Sequence, residues 1–184
     1  MSIEVECRAR FDRARHESLM AFLLANAQDL GENNKHIHFF VLPDALLKVV
    51  HNLSSGTAKV SFKPNKIGQG AFFPEYEYAV DPAELETVVK TFNLLGFADA
   101  RHDAHNERHD FRYKGVEIAV KYSEAWGHHA EFEVVLPDSA DRDAHHAALE
   151  RINTLASELG VRVMTEEELA AFTAEFEQKQ AQNN

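Results

Sequence analysis

The sequence predicts an α+β protein: a largely antiparallel sheet of about eight strands, enough to curl or close into a barrel, with helices packed outside. Two observations predict it. Alternation of apolar and polar residues with period 2 recurs in eight short runs between residues 2 and 136. Helical periodicity comes in blocks between and after those runs rather than after every strand, which argues against a parallel sheet. No repeat, low-complexity tract or Pro/Gly-rich linker divides the chain. Residues 1–184 therefore read as one domain, with the sheet in 2–136 and C-terminal helices in 140–179.

Residues 2–10 alternate Ile3, Val5, Cys7 and Ala9 against Glu4, Glu6, Arg8 and Arg10, the pattern of a half-buried strand. A helix follows over 15–27, stopping near Gly31. Strand-like runs come next at about 36–42, 46–52, 57–63 and 74–80, with Ser54-Ser55-Gly56 turning between the second and third. Asp81 then offers an N-cap and Pro82 a first turn for a helix over 82–95, which Gly96 stops. Strands at 107–113, 116–122 and 130–136 follow, the first two joined by Lys114-Gly115. The tail is helical over 140–159 and 165–179, and Thr165 with Glu168 has capping-box spacing.

Composition narrows the function. The 184 residues carry 30 acids against 19 Lys and Arg, a net charge of −11. That balance lacks the basic face expected for a nucleic-acid or membrane-surface protein, while leaving room for a local basic cluster inside an acidic shell. The lone Cys7 excludes an internal disulfide framework, and no run approaches a signal peptide or a membrane span. The expected location is the cytoplasm.

The strands sort their charges. Glu4 and Glu6 share a face, as do Glu75 and Glu77 opposite Tyr76 and Tyr78, and Glu131 and Glu133 opposite Phe132 and Val134. Lys59 and Lys63 share a face with Ser61, and Arg108 and Arg112 with Asp110. A solvated outer face explains any one of these. Three Glu-x-Glu pairs on different strands fit it poorly, because like charges roughly 7 Å apart on one face repel. The sorting makes sense if the polar faces turn inward around a shared cavity. Carboxylates are hard ligands for Mg²⁺ or Mn²⁺, and Lys and Arg match phosphate oxygens, so such a cavity suits a metal–triphosphate complex.

The eleven histidines admit a different reading. His102, His105 and His109 recur at helix-compatible spacing, and His36 and His38 share a strand face, as a metal site would need. With no Cys beside them, they read as surface residues of a His-rich chain. Cys7 and Trp126 read as packing residues.

The segment Glu4-Val-Glu6-Cys-Arg8 resembles the E-x-E-x-K signature of the CYTH superfamily, the triphosphate tunnel enzymes. Leu95-Gly96-Phe97, Arg108 to Phe111, Gly115 to Ile118 and Trp126 to Glu133 are similar, in order, to that family's later run, and Gly56 to Pro64 is similar to its Lys-ending strand. The likeness spans about residues 3–136. It implies an eight-stranded antiparallel tunnel in which Glu4 and Glu6 bind metal and serve catalysis, with Glu131, Glu133, Glu75 and Glu77 as further carboxylates. Arg8, Lys63 and Arg108 would hold the triphosphate, with Lys48, Lys59 and Arg112 as further bases. The chain departs from the family at four places. Arg8 replaces a Lys, Val50 replaces an Arg, Asn106 stands for a Lys, and Lys121 stands for an acid. The departures make Lys121 a catalytic position of altered kind in a partly degenerate site.

The resemblance implies a class IV adenylyl cyclase-like enzyme that converts ATP to cyclic AMP and pyrophosphate with Mg²⁺ or Mn²⁺. A triphosphatase acting on inorganic or thiamine triphosphate, and a non-catalytic binder of nucleotides or polyphosphate, stay open. The expected partner is a small-molecule triphosphate, with no nucleic acid and no membrane; a homodimer is also left open.

Overall fold

The computed structural model describes residues 2–64, 72–137 and 140–183. Among them run strands β1 (Ser2–Arg10), β2 (Gln28–Glu32), β3 (Lys35–Val41), β4 (Leu46–Asn52), β5 (Thr57–Lys63), β6 (Phe72–Pro74), β7 (Tyr76–Val80), β8 (Arg101–Tyr113), β9 (Val116–Ser123) and β10 (Gly127–Pro137). Helix α1 (Arg13–Asn26) follows β1, α2 (Leu85–Phe92) follows β7, and α3 (Arg142–Glu158) and α4 (Glu166–Asn183) close the chain. No described helix is long and apolar enough to cross a membrane.

All the ladders are antiparallel, in the order β6-β1-β10-β9-β8-β3-β4-β5-β7, with β2 paired onto β8. The two ends of that path, β6 and β7, are separated in the chain by Glu75 alone. The curled sheet therefore returns on itself: one broken strand lies against β1 at one end and against β5 at the other. Counting β6 and β7 as one and setting the short β2 aside gives the eight strands expected.

Alternation along each strand sets the inside and outside of the curl. The outer residues of β1, β8, β9 and β10, namely Val5, Ala9, Phe111, Val116, Ile118, Val120, Ala130 and Phe132, pack against Leu19 and Leu23 of α1 and Ile152 and Leu155 of α3. A second core joins Phe40, Leu47, Val49 and Val60 to Val89 of α2. The opposite parity turns Glu4, Glu6, Arg8, Lys48, Lys63, Arg108, Lys121, Glu131 and Glu133 to the lumen, together with a few uncharged residues such as Ile37, Phe39 and Ala119.

The local signals for the helix ends hold. Asp12 and Asp141 accept from Arg15 N and Ala144 N at the starts of α1 and α3. Asp81 accepts from Ala83 N ahead of α2. Thr165 and Glu168 exchange the two bonds of a capping box before α4.

Several boundaries move. The helix expected over 82–95 is regular only over 85–92, between a 3₁₀ turn at 82–84 and a wider turn that Gly96 ends at φ 95. Strand β2 is additional. Strand β8 begins at Arg101 rather than 107, so the histidines expected at helical spacing lie on a strand, with His102 on the luminal face and His105 and His109 outside. Tyr76 and Tyr78, expected on a covered face, are 51% and 57% exposed. Trp126 lies at the β9–β10 turn, not in the core; it packs against His129 and against Phe172 of α4. Cys7 does pack against the first core, and burial pushes its thiol up to about 11.

Candidate functional site

Period 2 puts Glu4, Glu6 and Arg8 on the luminal face of β1, opposite fully buried Val5 and Ala9. Register does the rest. Arg8 lies across from Glu131 and Glu6 across from Glu133. Glu131 lies across from Ala119, and Ala119 across from Asp110. Lys121 and Arg108 face each other on the adjoining β9–β8 pair.

The small side chain of Ala119 leaves room for three cations to converge on Glu131. Arg8 Nε donates to its Oε1 at 3.1 Å, Lys121 Nζ lies 2.9 Å from Oε2, and Arg108 Nη1 lies 3.6 Å from the same oxygen. Burial alone would raise the Glu131 carboxyl, but Lys121, Arg8 and Arg108 hold it well below the usual range. Lys121 shifts down, through burial first and then through Arg108, with Glu131 pulling the other way.

A second hub is Lys63. Its Nζ is 2.8 Å from Glu4, 3.5 Å from Glu75 and 3.7 Å from Glu6. Burial opposes its charge, but Glu6, Glu75 and Glu4 together raise its pKa. Glu75 also accepts from Lys48 at 3.0 Å and from Ser61, and despite burial Lys48, Lys63 and the Ser61 hydroxyl lower it. Burial and Lys63 lower Lys48. Glu6 also pairs with Arg8.

Between the two hubs, Glu4, Glu6 and Glu133 bring carboxylate oxygens within 4.8 Å of one another. Glu133 has no ion-pair partner among the described residues. Burial, followed by Glu4, Glu6 and Glu131, raises it to about 8, and burial raises Glu4 in spite of Lys63. Three crowded hard-oxygen donors, one of them pushed toward its protonated form by burial and by the other carboxylates, fit a divalent ion of the Mg²⁺ or Mn²⁺ class.

The structure therefore gathers Glu4, Glu6, Arg8, Lys48, Lys63, Glu75, Arg108, Lys121, Glu131 and Glu133 around one lumen. It sets three expected members apart. Glu77 and Lys59 pair with each other with side chains 39% exposed, so Glu77 stands outside the carboxylate cluster. Arg112 is half-exposed and pairs with Glu117. Glu117 and Asp110 line the cleft between Arg108 and Glu133. Arg108 Nε donates to Asp110 at 2.6 Å.

One base was absent from the sequence expectations. Lys35 begins β3 on the parity of luminal Ile37 and Phe39, directly across from Asn106 and Asn52. Burial, then Arg108, Lys121 and Lys59, lower it to about 7. The signal was there: Lys35 continues the alternation one residue before the expected strand start. Phe39, across from Lys48 on the same face, stacks on His102 with centroids 5.1 Å apart and planes 11° from parallel.

No family model and no curated protein matches the chain. Solved structures do. A conserved hypothetical protein from Pyrococcus furiosus superposes with a TM-score of 0.69 at 20% identity, over 90% of this chain and 99% of its own. A candidate adenylate cyclase from Vibrio parahaemolyticus gives 0.65 at 17% identity, over 92% and 98%. The chain has the CYTH fold. A third CYTH-fold structure, a Hippeastrum protein first taken for an adenylyl cyclase and described as having a dominant triphosphatase activity, gives 0.59 at 18% identity, over 89% and 90%.

Proposed function

We propose that the lumen binds a triphosphate together with Mg²⁺ or Mn²⁺ and acts on it, as a class IV adenylyl cyclase-like enzyme converting ATP to cyclic AMP and pyrophosphate. The observation that carries triphosphate binding is the juxtaposition of the Glu4, Glu6 and Glu133 carboxylates with a wall of bases, Arg8, Lys35, Lys48, Lys63, Arg108 and Lys121. The stacked Phe39 and His102 favour a nucleotide over inorganic triphosphate, since they offer an aromatic surface to a base beside Lys48.

Glu4, Glu6 and Glu133 would hold the ion, which when bound supplies charge neutralisation at the phosphate oxygens. Arg8, Arg108 and Lys121 now share Glu131; a triphosphate oxygen would take over part of that donation without loss of a partner for any of the three. Arg8 and Arg108 suit bidentate contact, and Lys121 acts as a point charge. In the cyclase reaction the ribose 3′-hydroxyl releases its proton to solvent as its oxygen bonds to the α-phosphorus, the bond to the β-bridging oxygen breaks, and the bases steady the charge on departing pyrophosphate. Lys121 adds a cation where the CYTH resemblance expects an acid, so the site holds fewer ions than its relatives and turns over slowly.

A second reading, triphosphatase, rests on the activity described for the Hippeastrum protein, because one lumen can align either a ribose hydroxyl or water. Incubation with ATP, tripolyphosphate and thiamine triphosphate, each with Mg²⁺ or Mn²⁺, separates the readings by product. Cyclic AMP and pyrophosphate support the first, and orthophosphate from any of the three supports the second. Binding of all three with no product leaves a non-catalytic binder and overturns both.

A further inference from the structure

The outer face of the sheet gathers histidines that the lumen does not use. His36 lies directly across β3–β4 from His51 and directly across β3–β8 from His105, and His38 lies across from Asp103. Directly paired residues put Cβ atoms about 4.5–5.5 Å apart, so these strands present a row of three imidazoles with a fourth two residues along. The His36 and His38 rings have centroids 4.6 Å apart. One donor atom each from His36, His38 and Asp103 lies within 4.8 Å of the others.

We infer that His36, His38 and Asp103 form a second metal site, on the outside of the sheet, that takes a borderline transition-metal ion such as Zn²⁺. The donors decide the class of ion. Imidazole nitrogen with one carboxylate suits Zn²⁺ or Co²⁺, whereas the all-carboxylate luminal cluster suits Mg²⁺ or Mn²⁺. Asp103 Oδ1 lies 2.7 Å from His38 Nδ1, so the carboxylate and this imidazole already meet at one point. His51 and His105 are the cross-strand neighbours of His36, outside the three-residue group whose donor atoms converge. Arg101 grips both Asp103 oxygens, at 2.9 and 2.6 Å, and lies 3.2 Å from His38 Nδ1, so an ion binding here has to displace this partly exposed guanidinium.

The test uses the full chain, free of any affinity tag, with Co²⁺ as a spectroscopic probe and Zn²⁺ as competitor. The wild type is expected to show one visible Co²⁺ band set per chain that Zn²⁺ removes. Glu4→Gln/Glu6→Gln should retain it, and His36→Gln/His38→Gln should bind at least tenfold more weakly. Asp103→Asn, at an exposed position, gives a second reading should the double variant misfold, with an expected loss of about 10- to 100-fold. No Co²⁺ band in the wild type overturns the inference, as does undiminished binding in the folded histidine or Asp103 variants. Loss of the band in the luminal variant alone would assign the ion to the lumen and overturn it equally.

Discussion

Lys35 sits directly across the β3–β8 ladder from Asn106, the position where the CYTH resemblance expects a lysine. The missing base is supplied by the neighbouring strand. Burial and three nearby cations lower Lys35 to about 7, and a bound polyanion favours its charged form. Tripolyphosphate affinity should fall as pH rises through about 7 and above. Lys35→Met should remove that limb and weaken binding at pH 6 by about 10- to 100-fold, the worth of a charged hydrogen bond. Titration calorimetry of both proteins across pH 6–9 checks it, the variant accounting for titration of the phosphate itself. A parallel decline in both would show that Lys35 stays out of contact.

Glu133 gives the metal-free protein a pH dependence of definite sign. Its ordinary value of 4.5 is raised to about 8 in the fold. Between those values the unfolded chain ionises while the folded one keeps its proton, so stability falls as pH rises through the window and stays low above it. Melting temperature without metal should drop from pH 5 to pH 8, and Glu133→Gln should flatten the decline. Mn²⁺ displaces the proton, so its affinity should increase over the same range. A flat wild-type melting profile would contradict the assignment.

Lys121→Asp should exchange a phosphate contact for a metal ligand. The new carboxylate would lie beside Glu131, which keeps Arg8 and Arg108. Mn²⁺ stoichiometry, read by calorimetry, should rise, and turnover should become more responsive to metal. Breaking a buried ion pair should lower metal-free stability by about 3–5 kcal/mol, recovered in part by Mn²⁺. Native turnover at an ordinary cyclase rate, lost in the variant, would instead make Lys121 an essential catalytic group.

The half-exposed pairs should matter little. Glu77→Gln and Arg112→Gln each remove one partner of an ion pair open to solvent. Neither should change stability or triphosphate affinity by more than about 1 kcal/mol. Phe111→Ala, on the fully buried outer face of β8, should cost about 3–5 kcal/mol. Chemical denaturation of the three variants compares them. An equal cost at Glu77 would place its carboxylate among the essential luminal acids.

Much of the lumen was legible because a strand displays its facing in a two-residue rhythm. Glu4, Glu6, Lys63, Arg108, Glu131 and Glu133 could be sorted inward with no knowledge of neighbours. Who meets whom was not legible, since the convergence of Arg8, Arg108 and Lys121 on Glu131 depends on register between segments up to 123 residues apart. Strand β2 (QDLGE) has no alternation to read, and its partner comes from β8. The start of β8, RHDAHNE, is polar on both faces. There the usual contrast between buried and solvated sides vanishes, and a strand resembles a loop. Tyr76 and Tyr78 show the converse: parity placed them outside, but only a helix could have covered them.

The seam at Glu75 has a mechanical consequence. Among the described residues the β1–β6 ladder pairs three positions and β5–β7 five, while β1 and β10 pair along nine. A ring of strands opens most easily where its ladder is shortest, which among the described residues is this clasp. Glu75, the residue at the clasp, is also the one held by Lys48, Ser61 and Lys63. An anion that drew those two lysines away would loosen the hoop at its weakest stitch. Glu75 is thus the point at which an anion in the lumen would reach the seam of the ring.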